Sequence, residues 1–398
     1  MVPKRKNHIA RFPILVLKCL LIRPMDALSP KQNLYLKTSI ICFAIISSSP
    51  VFSGVIYQFS MDIDSLNVLL ELLVGLGDLM GYAMAYYCFL RHHQQIQKLI
   101  ENFQKFAQYS TIKVIEATEE KSTHILYCVT GFLTLTYIWE LLSIKSCIVQ
   151  RGSDYYMKHD PCEMPVRNWY PFGTSHPTVF WSIYVVEIIM GYHVSVFFSL
   201  ATVVIIDFFV HITSQLQYCA RKFEYIFDSN PQPLELVKKE FTHLNEYHSK
   251  ILKYVERVFK VFDVLITVYI SLTSSLMAVI CYQIINPDID TQDRIKYAEL
   301  LSVWCVLVYS ISYNGQIVQE ESMKVSRSIY NSGRYKHDDV AIKLKSIIVF
   351  TLGRSQKPLE FRTKLFGSIS FFRFMRVLKW AYTSFTLLLV IIGDKCDS

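Results

Sequence analysis

Seven blocks of roughly 20 predominantly apolar residues dominate this 398-residue chain: Tyr35 to Tyr57, Leu66 to Leu90, His124 to Ser146, Thr178 to Val210, Val264 to Ile285, Ala298 to Val318 and Phe366 to Ile392. As a helix, such a block rises about 1.5 Å per residue and matches the roughly 30 Å hydrocarbon core of a bilayer. Inside that core every backbone amide must be satisfied within the segment, which leaves helices or closed barrels. Blocks of this length exclude barrel strands, so the sequence predicts an all-α membrane protein with seven transmembrane helices. Only 19 % of residues are charged, against about 25 % in soluble domains, and the deficit falls inside the blocks.

Charge placement predicts the orientation. Lys and Arg number seven before the first block, five between the second and third, eight between the fourth and fifth, and ten between the sixth and seventh. The alternate segments hold none, three, two and one. Basic loops stay on the cytoplasmic side, so the amino terminus is expected inside and the carboxyl terminus outside. That orientation is the reverse of a G-protein-coupled receptor, whose Asp-Arg-Tyr and Asn-Pro-x-x-Tyr elements are also missing. A secondary transporter remains a rival on hydropathy alone, although neither paired broken spans nor inverted repeats stand out.

The expected organisation follows from these spans. Residues 1–34 form a cytoplasmic amino-terminal segment, with "MVPKRKNHIARFPILVLKCLLIRP" read as amphipathic because no small-residue cleavage site follows its apolar run. Residues 35–318 carry the first six helices, with an outer loop at 148–177 and a cytosolic helical region at 211–263. There Ile251, Leu252, Val255, Val258, Phe259 and Phe262 recur at helical spacing. A cytosolic anchor segment spans 319–365, and 366–398 hold the last helix and an extracellular carboxyl terminus.

Catalytic and cofactor motifs are wanting. The histidines of "HLNEYH", His243 to His248, are five apart and so point away from each other, unlike the i, i+4 pair of a zinc protease. No phosphate loop, nucleophile elbow or nucleic-acid signature occurs, so neither an enzyme, a cofactor, a metal nor a nucleic-acid partner is expected. Ten cysteines are scattered without a Cys-x-x-Cys pair. Cys162 alone is expected outside, with Cys147, Cys281 or Cys396 as conceivable mates.

Four stretches in order resemble the insect odorant receptor family. They are "MPVRNWYPF" at Met164 to Phe172, "YNGQIVQEESMKVSRSIYNSGRY" at Tyr313 to Tyr335, "GRSQKPLEF" at Gly353 to Phe361, and "FMRVLKWAYTSFTLL" at Phe374 to Leu388. Two departures are the Ser332-Gly333-Arg334-Tyr335 run, where the family usually has a Trp, and the heavy basic stripe Arg373, Arg376 and Lys379. The compact loop after the fourth span is similar to a ligand-tuned subunit, because the shared co-receptor carries an insertion there. A gustatory-receptor-like ligand-gated channel is the alternative, but its Gln-Phe ending is missing.

The resemblance implies an odorant receptor subunit that gates a non-selective cation channel in a heterotetramer with the odorant co-receptor. It implies a multi-pass protein of the plasma membrane, in the dendrites of olfactory sensory neurons, working in olfaction and sensory transduction. The last helix of each subunit would line the pore. Leu387 and Ile391, four apart on one helix face, match the family's positions for an apolar gate that blocks ions by dewetting. A small volatile apolar ligand would bind in the outer half of the bundle, among Met80, Tyr82 and Tyr86, Phe132, Leu135 and Trp139, Met190 and Val194, and Tyr309 and Tyr313. Aromatic and Met side chains suit such ligands by offering dispersion.

Two charge patterns carry further expectations. Arg373, Arg376 and Lys379 are expected at the cytoplasmic interface, snorkelling to lipid headgroups or to cytosolic acids and facing away from the pore. Glu71, Asp78, Glu140, Glu187 and Asp207 lie in spans, where charge is costly, and are expected to pair between helices or, for one of them, to contact a polar group of the ligand.

Overall fold

The structure is a computed structural model. It describes residues 66–106, 109–110, 112–151, 176–226, 233–287, 289, 291–332, 338–363 and 365–396, with scattered helical positions between 29 and 45. The first expected span therefore lies largely outside the described residues, as do Cys162 and the outer loop. Among the described residues from Leu66 onward, seven helices and one small ladder follow in order: α1 (Leu66–Phe106), α2 (Ile112–Arg151), α3 (Pro177–Tyr225), α4 (Leu234–Ile285), α5 (Thr291–Asn331), α6 (Asp338–Ser355), β1 (Arg362–Thr363), β2 (Gly367–Ser368) and α7 (Phe371–Cys396). Among the described residues, four helices are long and apolar enough to cross a membrane: Leu72–Phe103, Leu200–Tyr225, Leu234–Ile285 and Asp293–Asn331.

The helices outrun the spans read from hydropathy. At 52 residues, α4 is about 78 Å long at 1.5 Å per residue, more than twice the hydrocarbon core. Its amino-terminal half is amphipathic as expected: Ile251, Val255, Val258 and Phe262 are buried, while Lys253, Glu256 and Arg257 are exposed. The segment between the second and third spans differs from its reading as a charged loop. It is helix on both sides of a short turn, because Ile96, Leu99, Ile100 and Phe103 recur at helical spacing and are buried. Its charges occupy the outer face of that helix and had masked the period.

Local chemistry sets the helix ends. Pro177 opens α3 at a position where a missing N–H costs nothing. Pro287 stops α4 after Asn286, whose N–H still bonds to the Tyr282 carbonyl at 3.0 Å. The turn into α5 is then held by Arg294, which donates to the carbonyls of Ile289 and Asn286 at 3.0 Å each.

Helix α3 forms the centre. From Leu200 to Thr213 nearly every side chain is buried, the mark of a helix packed on all sides. Its most extensive contact is with α5, while α1 and α7 both pack on α4. Gly77 of α1 lies so close to α4 that an added Cβ would meet Leu276 at 2.6 Å.

The last helix starts at Phe371 rather than Phe366, a correction to the sequence reading. Residues 361–369 fold instead into a tight hairpin, pairing Arg362 with Ser368 and Thr363 with Gly367. Gly367 adopts a φ of 71°, a left-handed conformation that a side chain resists. An apolar count over Phe366 to Ile369 cannot register such a turn.

Candidate functional site

The amino-terminal half of α1 and the middle of α3 meet in an aromatic cluster. Tyr82 and Tyr86, one turn apart, stack with ring centroids 6.0 Å apart. From α3, Phe197 meets Tyr82 edge-on at 5.0 Å and Tyr86 at 5.3 Å. Tyr82 Oη and His193 Nε2 share a hydrogen bond of 3.0 Å. Below them Phe89 contacts both Phe197 at 6.4 Å and Phe262 of α4 at 6.0 Å, and Phe262 meets Phe208 at 5.6 Å. The rings form a closed floor under the two tyrosines.

Of the sequence-predicted ligand positions, Tyr82 and Tyr86 belong to this cluster, and Met190 and Val194 join the same core from α3. Met190 is 6 % exposed. Met80, Phe132 and Leu135 lie on the outer surface of the chain, Leu135 at 68 % exposure. The side chain of Trp139 lies outside the described residues. Tyr309 and Tyr313 occupy a second seam: they stack on each other at 5.7 Å, and Tyr309 meets Phe374 of α7 edge-on at 5.5 Å. A groove of about 500 Å³ runs elsewhere, along α2 past Ala117, Lys121, Ile125 and Cys128. It is broad and lined by one helix only, unlike the enclosed clefts that usually hold small ligands.

Sequence reasoning missed His193. It sits three residues after Met190 and four before Phe197, and the signal was present: a polar ring inside an apolar span demands a partner.

The seam between α5 and α7 explains the "YNGQ" motif physically. Gly315 allows the Ile369 carbonyl to approach so closely that a Cβ would meet it at 3.1 Å. Gln316 Oε1 accepts from the Phe371 N–H at 3.0 Å, satisfying an orphan donor at the start of α7. One turn and a half further, Ser322 Oγ accepts from the Leu359 N–H at 3.0 Å. Phe361, 2 % exposed, inserts its ring 4.2 Å from that of Phe209 on α3. The hairpin that launches α7 is thus bolted to α3 and α5.

Helix α7 buries Val377 and Ala381 and exposes the opposite side, including Arg376, Trp380 and Leu387. The side chain of Ile391 lies outside the described residues. The helix runs unbroken from Phe371 to Cys396, so its phase carries from the basic stripe to Leu387. Eleven residues separate Arg376 from Leu387, or about 20° of rotation. The basic stripe therefore shares the exposed face of Leu387. No acid within salt-bridge distance meets Arg373, Arg376 or Lys379 among the described residues. Arg376 instead lies 4.9 Å over the Phe372 ring.

Of the acids in the spans, Asp207 pairs between helices as expected. It accepts from the Ser122 hydroxyl of α2 and lies 3.5 Å from His211 on its own helix, with both side chains at most 2 % exposed. Glu187 is also buried, and the side chains of Glu71 and Glu140 lie outside the described residues. Cys281 is a free thiol.

A family profile described as 7tm Odorant receptor matches residues 65–382. Putative odorant receptor 92a of Drosophila melanogaster is 26 % identical over 211 residues, covering 53 % of this chain and 50 % of that protein. Odorant receptor 67c of the same organism is 24 % identical over 223 residues, covering 55 % of this chain and 53 % of that protein. The chain thus matches about half the length of these curated relatives. Among solved structures, the insect olfactory receptor OR5 from Machilis hrabei in complex with eugenol superposes with a TM-score of 0.79, at 14 % identity, over 96 % of this chain and 99 % of that one. That likeness carries the fold, the all-α membrane bundle that hydropathy predicts.

Proposed function

We propose, for a chain that belongs to the 7tm odorant receptor family, that it is a ligand-tuned subunit of a cation channel, opened by small volatile molecules. Its partner in this reading is a co-receptor subunit, and its location is the plasma membrane of olfactory sensory neurons, in the dendrites. The observation that carries the reading is the family match over residues 65–382. The aromatic seam of α1 and α3 supports it by supplying an apolar site with few polar groups, the usual composition of a small-molecule pocket.

In this reading the ligand binds against Tyr82, Tyr86, Met190 and Val194. Trp139 of α2 is the residue proposed to close this site, whereas Met80, Phe132 and Leu135 stand on the outer surface and Tyr309 with Tyr313 line the second seam. Tyr309 touches Phe374, so a shift of α5 on binding reaches α7 through the ring pair and through Gln316. Leu387 and Ile391 then form the apolar constriction, which ions cross only when it widens and wets. Residues 211–263 and 319–365 make a cytosolic base that resists the movement.

Coexpression with an odorant co-receptor and exposure to a volatile panel, eugenol included because the superposed receptor binds it, tests the proposal. An odour-evoked cation current supports it. Saturable uptake without current favours a transporter instead, and a tag after Ser398 that is inaccessible on intact cells removes the topology.

A further inference from the structure

We propose that the seam between α1 and α3 selects ligands bearing a hydrogen-bond-accepting oxygen, and that the Tyr86 hydroxyl is the donor that reads it. The inference deepens the ligand-site reading above and rests on it. Two phenols face this seam, and their states differ. Tyr82 Oη is committed to His193 Nε2 at 3.0 Å. Tyr86 Oη is buried and has no hydrogen-bond partner among the described residues.

A buried hydroxyl without a partner is uncommon, because its lost hydration goes unrecovered. Serine and threonine in these helices avoid that state by bonding back along their own helix. Ser182 donates to the Thr178 carbonyl at 2.7 Å, and Thr273 to the Tyr269 carbonyl at 2.6 Å. Tyrosine cannot follow, since its ring carries the oxygen away from its own backbone. The nearest rings to Tyr86 are those of Tyr82 and Phe197, which offer apolar faces. Phe89 and Phe262 continue this apolar surround, so a ligand entering the seam is the partner proposed for the Tyr86 hydroxyl. A ketone, ester or ether oxygen accepts from Tyr86, while the rest of the ligand rests on the rings. A carboxylate would bring charge into the span at a cost no cation in the seam offsets.

The chain, purified whole in nanodiscs, is exposed to matched pairs: 2-heptanone with heptane, and acetophenone with ethylbenzene. The oxygenated member is expected to raise the melting temperature at about tenfold lower concentration than its hydrocarbon. Tyr86→Phe removes that preference, whereas Tyr87→Phe, on the exposed face of α1, retains it. Without ligand, Tyr86→Phe melts no lower than the wild type, because the hydroxyl it deletes bonds to nothing. Equal potency of both members in the wild type, a preference that survives Tyr86→Phe, or a lower melting point of the unliganded variant overturns the inference, with the pocket reading intact. If neither member shifts melting, the ligand site itself falls with it.

Discussion

Arg376 and Leu387 share one exposed face of α7, eleven residues and about 20° apart. If Leu387 faces the ion path, Arg376 lines its inner mouth, and positive charge there lowers the local concentration of cations. Replacing Arg376 by Gln is therefore expected to raise unitary cation conductance, by up to about twofold at low ionic strength and less in high salt, where screening shortens the range of the charge. Single-channel recording at two salt concentrations measures it. Equal conductance in both proteins would place Arg376 off the ion path.

Leu387→Ala shortens the side chain proposed as the hydrophobic barrier and is expected to raise current without ligand. Ile391→Ala, four residues on, should do the same to a similar degree. The resting leak at fixed surface expression is the readout, and a leak like that of the wild type removes the gate from these positions. Trp139→Ala, by contrast, should shift ligand potency and leave the leak alone.

Gly315 is the place where α5 and the launch of α7 touch backbone to backbone. Gly315→Val drives a branched side chain toward the Ile369 carbonyl, already 3.1 Å from where a Cβ would stand. Overpacking of this kind costs about 1–3 kcal/mol, so the purified variant should melt several degrees lower. It should also alter ligand-evoked current, since the Gln316 to Phe371 bond lies one residue away. Gly353→Ala is the control: among the described residues nothing lies within 4 Å of its added Cβ, and helix propensity favours the change.

Asp207 and Ser122 tie α3 to α2 inside the bundle. Asp207→Ala takes the acceptor from the buried Ser122 hydroxyl and the carboxylate from beside His211, and leaving buried polar groups unsatisfied costs about 1–3 kcal/mol each. Ser122→Ala removes one hydrogen bond and is expected to cost about 1 kcal/mol. Thermal melting of the two variants should rank them in that order, and the reverse order would mean that Asp207 is held by other groups.

The blocks of apolar residues determined the all-α membrane architecture, because lipid leaves a buried backbone no other way to satisfy its amides. Helical spacing at Ile251, Val255, Val258 and Phe262 was as legible, since one period held along a whole face. The repeat at Ile96, Leu99 and Phe103 went unread, being interrupted by His92, His93 and Lys98 on the outer side.

Which seam a residue joins was decided only by packing. Nothing in the spacing of Tyr82, Tyr86, Tyr309 and Tyr313 says that the first pair meets Phe197 and the second meets Phe374. Those contacts depend on how whole helices rotate and cross, which is a property of every side chain along them at once. The same holds for the hairpin before α7, where a left-handed Gly367 and four side-chain bonds to α5 and within the turn outweigh an apolar local sequence. Composition along the chain specified what had to be buried in lipid or protein; only the tertiary arrangement specified against what, because contact is a relation between segments and a sequence states them one at a time.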